Sequence, residues 1–166
     1  MRPTSPDYFP AIVLNHIVGG GTLTSRLFVE LREKRGLVYS VRTRLEALSD
    51  ETLMIGGFAT ENDKIPTTIE LVRHEWQQLA DGNVSEADVD EAKAFLKGAL
   101  PLALDGTSTM AARLLAVRRL GLDMNHLTTW NAKVDAVTVD MVRALARRFM
   151  SPDTLTFAIA GDPAGL

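Results

Sequence analysis

Two hydrophobic periods alternate along this chain, and its fold has to accommodate both. Phe9, Ile12, Val13 and Ile17 recur at helical spacing. Ser5-Pro6-Asp7 ahead of them supplies a capping serine, a proline at the first helical position and an acid at the positive end of the helix dipole. Gly19-Gly20-Gly21 stops the run. Thr24 can cap a second helix through about Arg35, with Leu27, Phe28 and Leu31 on one side and Gly36 just past its end. From Leu37 the period drops to two. Leu37, Tyr39, Val41 and Leu45 share one face of a half-buried strand, and Ser40, Arg42 and Arg44 share the other. A turn at Ser49-Asp50-Glu51 and a second strand, Thr52 to Thr60, complete an antiparallel hairpin. Within it Gly56-Gly57 marks a bulge or a close backbone approach.

The helical period then returns. Ile65, Ile69, Val72, Trp76 and Leu79 form one stripe, ended by the polar turn Asp81-Gly82-Asn83. Ser85 and Asp88 form a capping box that opens a helix through Val89, Ala92, Phe95, Leu96 and Ala99, which Pro101 ends or kinks. Further helices are expected around Thr109–Leu120, His126–Val137 and Val139–Phe149, the last capped by Thr138. Ser151-Pro152-Asp153 breaks the chain before a closing strand, Thr154 to Ala160. The predicted fold class is α+β: a single two-layer domain over residues 1–166, with a small, mainly antiparallel sheet and several helices packed on one face. Three strands is few for so many helices, and a missing strand or a partner would make up the shortfall.

A chain of 166 residues can bury a sizeable core, and 46% hydrophobic with 23% charged residues is ordinary for a globular protein. A net charge of -3 argues against nucleic acid or an anionic membrane as a partner. No apolar run approaches the roughly 20 residues that span a bilayer. With no cysteine, disulfides, cysteine zinc sites, iron–sulfur clusters and thiol nucleophiles are excluded.

Three histidines bound the metal chemistry. His74-Glu75 begins like a His-Glu-x-x-His zinc helix, but Gln78 stands at the second ligand position. The inverted His-x-x-Glu-His fails at Gln77 and Gln78. His74 also lies opposite the apolar stripe, so a solvated surface histidine is expected. His16 falls within the apolar face of the first helix and is expected to be half-buried and hydrogen-bonded, while His126 follows Asn125 at a helix start, where capping or exposure suffices. Neither a metal-ligand set nor a catalytic residue is expected in this chain. Gly19-Gly20-Gly21 follows a helix and leads to no Gly-x-x-x-x-Gly-Lys-Ser/Thr, so a phosphate loop is unsupported. The three glycines read either as a helix stop and joint or as a mobile loop offering bare backbone to a peptide. No Gly-x-Ser-x-Gly elbow supports a serine hydrolase. Glu86, Asp88, Asp90 and Glu91 read as a solvated helix face.

Three stretches carry a resemblance: Val13-Leu14-Asn15-His16-Ile17-Val18-Gly19-Gly20-Gly21, then Ser25-Arg26-Leu27-Phe28, then Leu31-Arg32-Glu33-Lys34-Arg35-Gly36-Leu37-Val38-Tyr39-Ser40. Together they resemble the insulinase/pitrilysin (M16, processing-peptidase-like) metallopeptidase family. The Ser85-to-Leu100 helix with Glu91-Ala92-Lys93 and the closing Leu155–Pro163 stretch agree more loosely. The resemblance implies the C-terminal, non-zinc type of domain, on the LuxS/processing-peptidase-like metallohydrolase fold. In that family two related halves close around an unfolded peptide. One half bears zinc in a His-x-x-Glu-His domain, and the other supplies an arginine and a tyrosine, seven residues apart, near the scissile bond. Here that spacing lands on Arg32 and Tyr39.

Spacing alone reads Arg32 as a cation at a helix C-terminus and Tyr39 as a core-facing strand aromatic. By the resemblance both bind substrate, the guanidinium holding a peptide carbonyl and the phenol donating to the developing oxyanion. Gly19, Gly20 and Gly21 would line the same chamber. The resemblance implies no cofactor on this chain, the zinc belonging to the partner half. The implied partners are that zinc-bearing half, in the same parent chain or a separate subunit, and an unfolded peptide. Family domains open with a strand or two before the first helix, and this chain starts almost at that helix. A piece of a longer chain is therefore expected, with an exposed sheet edge through which two copies could pair. A non-catalytic subunit, similar to the core proteins of respiratory complexes, and a stand-alone protein-binding module are the alternatives on the same fold.

Overall fold

A computed structural model describes residues 2, 4–21, 23–47 and 52–163; the expected turn at Ser49-Asp50-Glu51 lies outside them. Ser5 organises the approach to the first helix: its Oγ accepts from the Asp7 N–H at 3.2 Å and its carbonyl from the Tyr8 N–H at 3.0 Å. Helix α1 then runs Tyr8–Asn15 and widens into a π-helical turn, His16–Gly20. A second π-helical turn, Phe28–Glu33, occupies the expected second helix and buries Leu31, with Leu27 buried just before it. Gly36 leaves this turn at φ +58°, a conformation that favours glycine, while the Leu37 N–H reaches back to the Leu31 carbonyl at 2.8 Å.

Strand β1 (Val38–Ala47) pairs antiparallel with β2 (Thr52–Thr60), from Val38↔Thr60 to Ala47↔Thr52. The register shifts between Val38 and Ser40. An extra residue in one strand breaks the in–out alternation locally, so Val38 is buried while Tyr39 is 63% exposed. Tyr39 therefore does not occupy the core face that simple alternation assigns it. Beyond the shift the alternation resumes, with Val41 and Thr43 buried and Arg42 and Arg44 exposed. Pairing is regular through Gly56-Gly57, so no bulge lies there; Gly56 marks a close approach, where a Cβ would fall 3.3 Å from Thr43 Cγ2, whereas one on Gly57 would meet open space.

Helix α1 is the central element. It packs against β1, and also against α3 (Glu86–Ala103), α5 (Trp130–Asp135) and α6 (Val139–Phe149), while α2 (Ile65–Ala80) packs on α6. Val13, Leu14 and Val18 join Leu31, Val38, Val41, Trp76, Leu79, Val142 and Leu145 in one continuous core. Each fully buried leucine among them contributes roughly 1.5–3 kcal/mol. The class is the α+β one expected, a small antiparallel sheet with helices on one face. The Ser85–Asp88 capping box is complete, at 3.1 and 2.8 Å, and Thr138 Oγ1 caps α6 by accepting from the Met141 N–H at 3.3 Å. Pro101 sits in the last turn of α3, and α4 spans Thr107–Arg119.

Three expectations fail. Residues 155–160 form no strand: among the described residues the sheet is β1 and β2 alone. Leu155 and Phe157 still turn toward the core, with the Arg73 guanidinium carbon 5.2 Å from the centre of the Phe157 ring. The side-chain alternation is present, and a ladder partner for the backbone is not. The helix expected over His126–Val137 is a 3₁₀ turn, Met124–His126, followed by the short α5. His126 is neither cap nor surface residue; it is 4% exposed, with ring centres of Phe9 at 5.7 Å and Trp130 at 5.8 Å. His16 is buried as well, against Phe95 at 4.6 Å.

The junction of α1 with the hairpin depends on Gly19, and the tight helical turn leading out of it on Gly20 and Gly21. A Cβ on Gly19 would fall 2.8 Å from Thr43 Cγ2 and Oγ1 and 3.0 Å from the Thr43 backbone nitrogen. On Gly20 it would clash with Asn15 Nδ2, and on Gly21 it would meet His16 Nε2 at 2.9 Å. Gly19→Ala is expected to lower stability by about 1–3 kcal/mol, read from denaturant unfolding, because β1 backbone has to move to admit the methyl group. An alanine variant as stable as the parent would show that the contact is loose.

Burial holds the pKa values of both His16 and His126 below the usual 6.5; nearby Glu91 opposes this for His16, and Lys133 adds to it for His126. The folded chain thus binds fewer protons than the unfolded one once the pH drops toward 6.5. Stability is full above that value and falls as the pH is lowered through it. Thermal unfolding midpoints should decline below about pH 6.5, and His126→Phe should flatten the decline. A midpoint unchanged between pH 7.5 and 5.5 would contradict this.

Candidate functional site

The start of β1 gathers the chemistry that the sequence scatters. Arg32, in the last turn of the second π-helical segment, donates from Nη1 to the Val38 carbonyl at 3.0 Å. That bond fixes the exposed guanidinium to the residue before Tyr39. A guanidinium has five N–H donors, so the bond leaves donors for an incoming acceptor. The register shift turns the Tyr39 ring outward from the same point, and the phenol donates to Glu61 Oε1 at 3.0 Å. Lys64 Nζ lies 3.1 Å from Glu61 Oε2. Arg32, Tyr39, Glu61 and Lys64 therefore form one polar rim on the outside of the hairpin.

Their charges act on one another. The bond to Glu61 and its negative charge raise the pKa of the Tyr39 phenol, against the weaker pull of Lys64 and Arg32. Lys64 and Tyr39 hold the Glu61 carboxyl below its usual range, and Glu61 raises Lys64. At neutral pH the rim holds two cations, one carboxylate and a protonated phenol. It can bind a carbonyl oxygen or other hydrogen-bond acceptor, and Glu61 can accept from a donor.

Arg32 and Tyr39 come together, but the three glycines lie elsewhere. Gly19 meets β1 at Thr43, four residues along the strand from Tyr39 and so roughly 13 Å away, while Gly20 and Gly21 fold back on Asn15 and His16. Gly19 and Gly21 are buried, and Gly20 alone of the three is exposed. Packing explains all three without a ligand. Glu61 and Lys64 were not singled out in the sequence. A hairpin register with Thr60 opposite Val38 would have placed Glu61 beside Tyr39, but it depends on the position of the bulge.

The tandem His74-Glu75 cannot act as a metal pair. His74 is exposed, whereas Glu75 is buried and lies against Arg26, Nε to Oε2 at 3.2 Å. That distance suits charge pairing, although the pair lacks hydrogen-bond alignment. Among the described residues no group of three or more His, Cys, Asp or Glu could hold a metal ion.

Comparison with known proteins gives the family. The family model described as the peptidase M16 inactive domain matches residues 2–96. An uncharacterised zinc protease of Mycobacterium bovis is 30% identical over 141 residues, covering 85% of this chain and 32% of that protein. The beta subunit of the mitochondrial-processing peptidase of Lentinula edodes is 28% identical over 172 residues, covering 98% of this chain and 36% of that one. A crystal structure of a peptidase M16 inactive domain from Pseudomonas fluorescens superposes with a TM-score of 0.77 at 26% identity, over 89% of this chain and 35% of that chain. The chain thus spans about a third of the length of the relatives it matches. The chain belongs to the M16 peptidase family, as an inactive-type domain.

Proposed function

We propose that this chain is the peptide-holding half of an M16-type zinc endopeptidase, inactive alone and completed by a zinc-bearing half. The observation that carries the reading is the rim at the start of β1. Arg32 and Tyr39, seven residues apart in sequence, stand together and exposed on one side of the hairpin. Neither is needed there by the core. A buried Tyr39 would have served packing; a phenol turned outward at a register shift is available to a ligand.

In the assembled enzyme the zinc of the partner would supply an activated water for attack on the peptide bond. The work of this chain is binding. Arg32 would hold a carbonyl of an unfolded peptide, and the Tyr39 hydroxyl would donate to the oxygen on which negative charge develops. Gly20, exposed at the end of α1, is the one glycine of the three still available to border the chamber. Among the described residues the sheet has only two strands, and an edge of it is where two copies of the chain could also associate.

In complex with a zinc-bearing M16 half, Arg32→Ala and Tyr39→Phe are each expected to slow peptide cleavage by roughly 10²-fold. Circular dichroism should remain that of the parent, and stability should fall by no more than the loss of one hydrogen bond, about 1 kcal/mol, since both side chains are exposed. Cleavage at the parental rate by both variants would show that the two residues do not contact the substrate.

A further inference from the structure

Tyr39 has a single phenolic O–H, and in this chain it donates to Glu61. Glu61 directly follows β2, and the Val38↔Thr60 pairing sets it beside the start of β1. Its Oε1 accepts from the phenol at 3.0 Å, while Oε2 lies 3.1 Å from Lys64 Nζ. Lys64 in turn ends the short 3₁₀ turn Asn62–Lys64 that leads into α2. The carboxylate is thus anchored by the end of β2 and by a cation of its own. A phenol donates one hydrogen bond at a time. A carboxylate is also a stronger acceptor than a peptide carbonyl. For Tyr39 to serve a substrate oxygen, it must first let go of Glu61.

We propose that Glu61 is a positioning residue that parks the Tyr39 phenol when no peptide is bound, so that a peptide carbonyl engages Tyr39 by displacing Glu61. This inference rests on the reading of Tyr39 as a substrate contact. Lys64 keeps the carboxylate satisfied once the phenol has left, so the exchange strands no charge. The same bond holds the phenol proton in place, since Glu61 raises the Tyr39 pKa while Arg32 and Lys64 oppose it. The cost of the exchange falls on peptide binding, before any bond is broken, and so appears in KM rather than kcat.

The chain contains two tyrosines, which makes the parking bond measurable without a partner. Tyr8→Phe leaves Tyr39 as the sole phenol, whose ionisation is followed by phenolate absorbance. Adding Glu61→Gln should make Tyr39 titrate at lower pH; an unchanged titration overturns the proposal. In complex with the zinc-bearing half, Glu61→Gln should lower KM roughly threefold at constant kcat, the scale of one exposed hydrogen bond. A fall in kcat resembling that of Tyr39→Phe would mean that Glu61 assists the reaction, and it too overturns the proposal. If Tyr39→Phe itself cleaves at the parental rate, the substrate role of Tyr39 fails and this inference fails with it. An effect of Tyr39→Phe without one of Glu61→Gln defeats the parking role alone.

Discussion

No side chain fits where the first helix meets the hairpin, and the rest of the arrangement depends on that contact. Gly19 lies against both the side chain and the backbone nitrogen of Thr43. Gly20 and Gly21 fold back on Asn15 and His16, and the π-helical turn His16–Gly20 accommodates the tight path. With β1 seated this closely, α1 can pack on the sheet while also contacting α3, α5 and α6. Gly19 therefore acts through geometry: it lets the hairpin and the helical layer share a single core.

The rim on the outer side of the hairpin depends on a second local irregularity. One extra residue between Val38 and Ser40 keeps Val38 and Val41 in the core while turning Tyr39 out beside Arg32. Bulges recur where a strand must re-aim a side chain. Here the re-aimed group is a phenol, tied to Glu61 and surrounded by two cations. This is the surface to which the proposed function assigns a peptide.

Much of this was legible in the sequence. Apolar spacing located α1, the hairpin and α2, and the Ser85–Asp88 pair marked the start of α3, because each is decided within a few residues. What was missed depends on distant partners. The alternation in Leu155 and Phe157 is that of a strand, yet strand formation needs a neighbour that the described residues do not provide. His126 is buried by Phe9, more than a hundred positions away, which no local window can reveal. Arg32 and Tyr39 could be picked out only through the family resemblance, since spacing alone reads them as a helix-end cation and a core-facing aromatic. Glu61 could not, because its meeting with Tyr39 depends on a hairpin register that the bulge shifts.

The account stands most directly on the division of labour between two halves. The decisive measurement is zinc content together with peptide cleavage by the purified chain, alone and after addition of a zinc-bearing M16 half. The account predicts no bound zinc and no cleavage by the chain alone, and cleavage once the halves are combined. Stoichiometric zinc with peptide cleavage by the chain alone would contradict it.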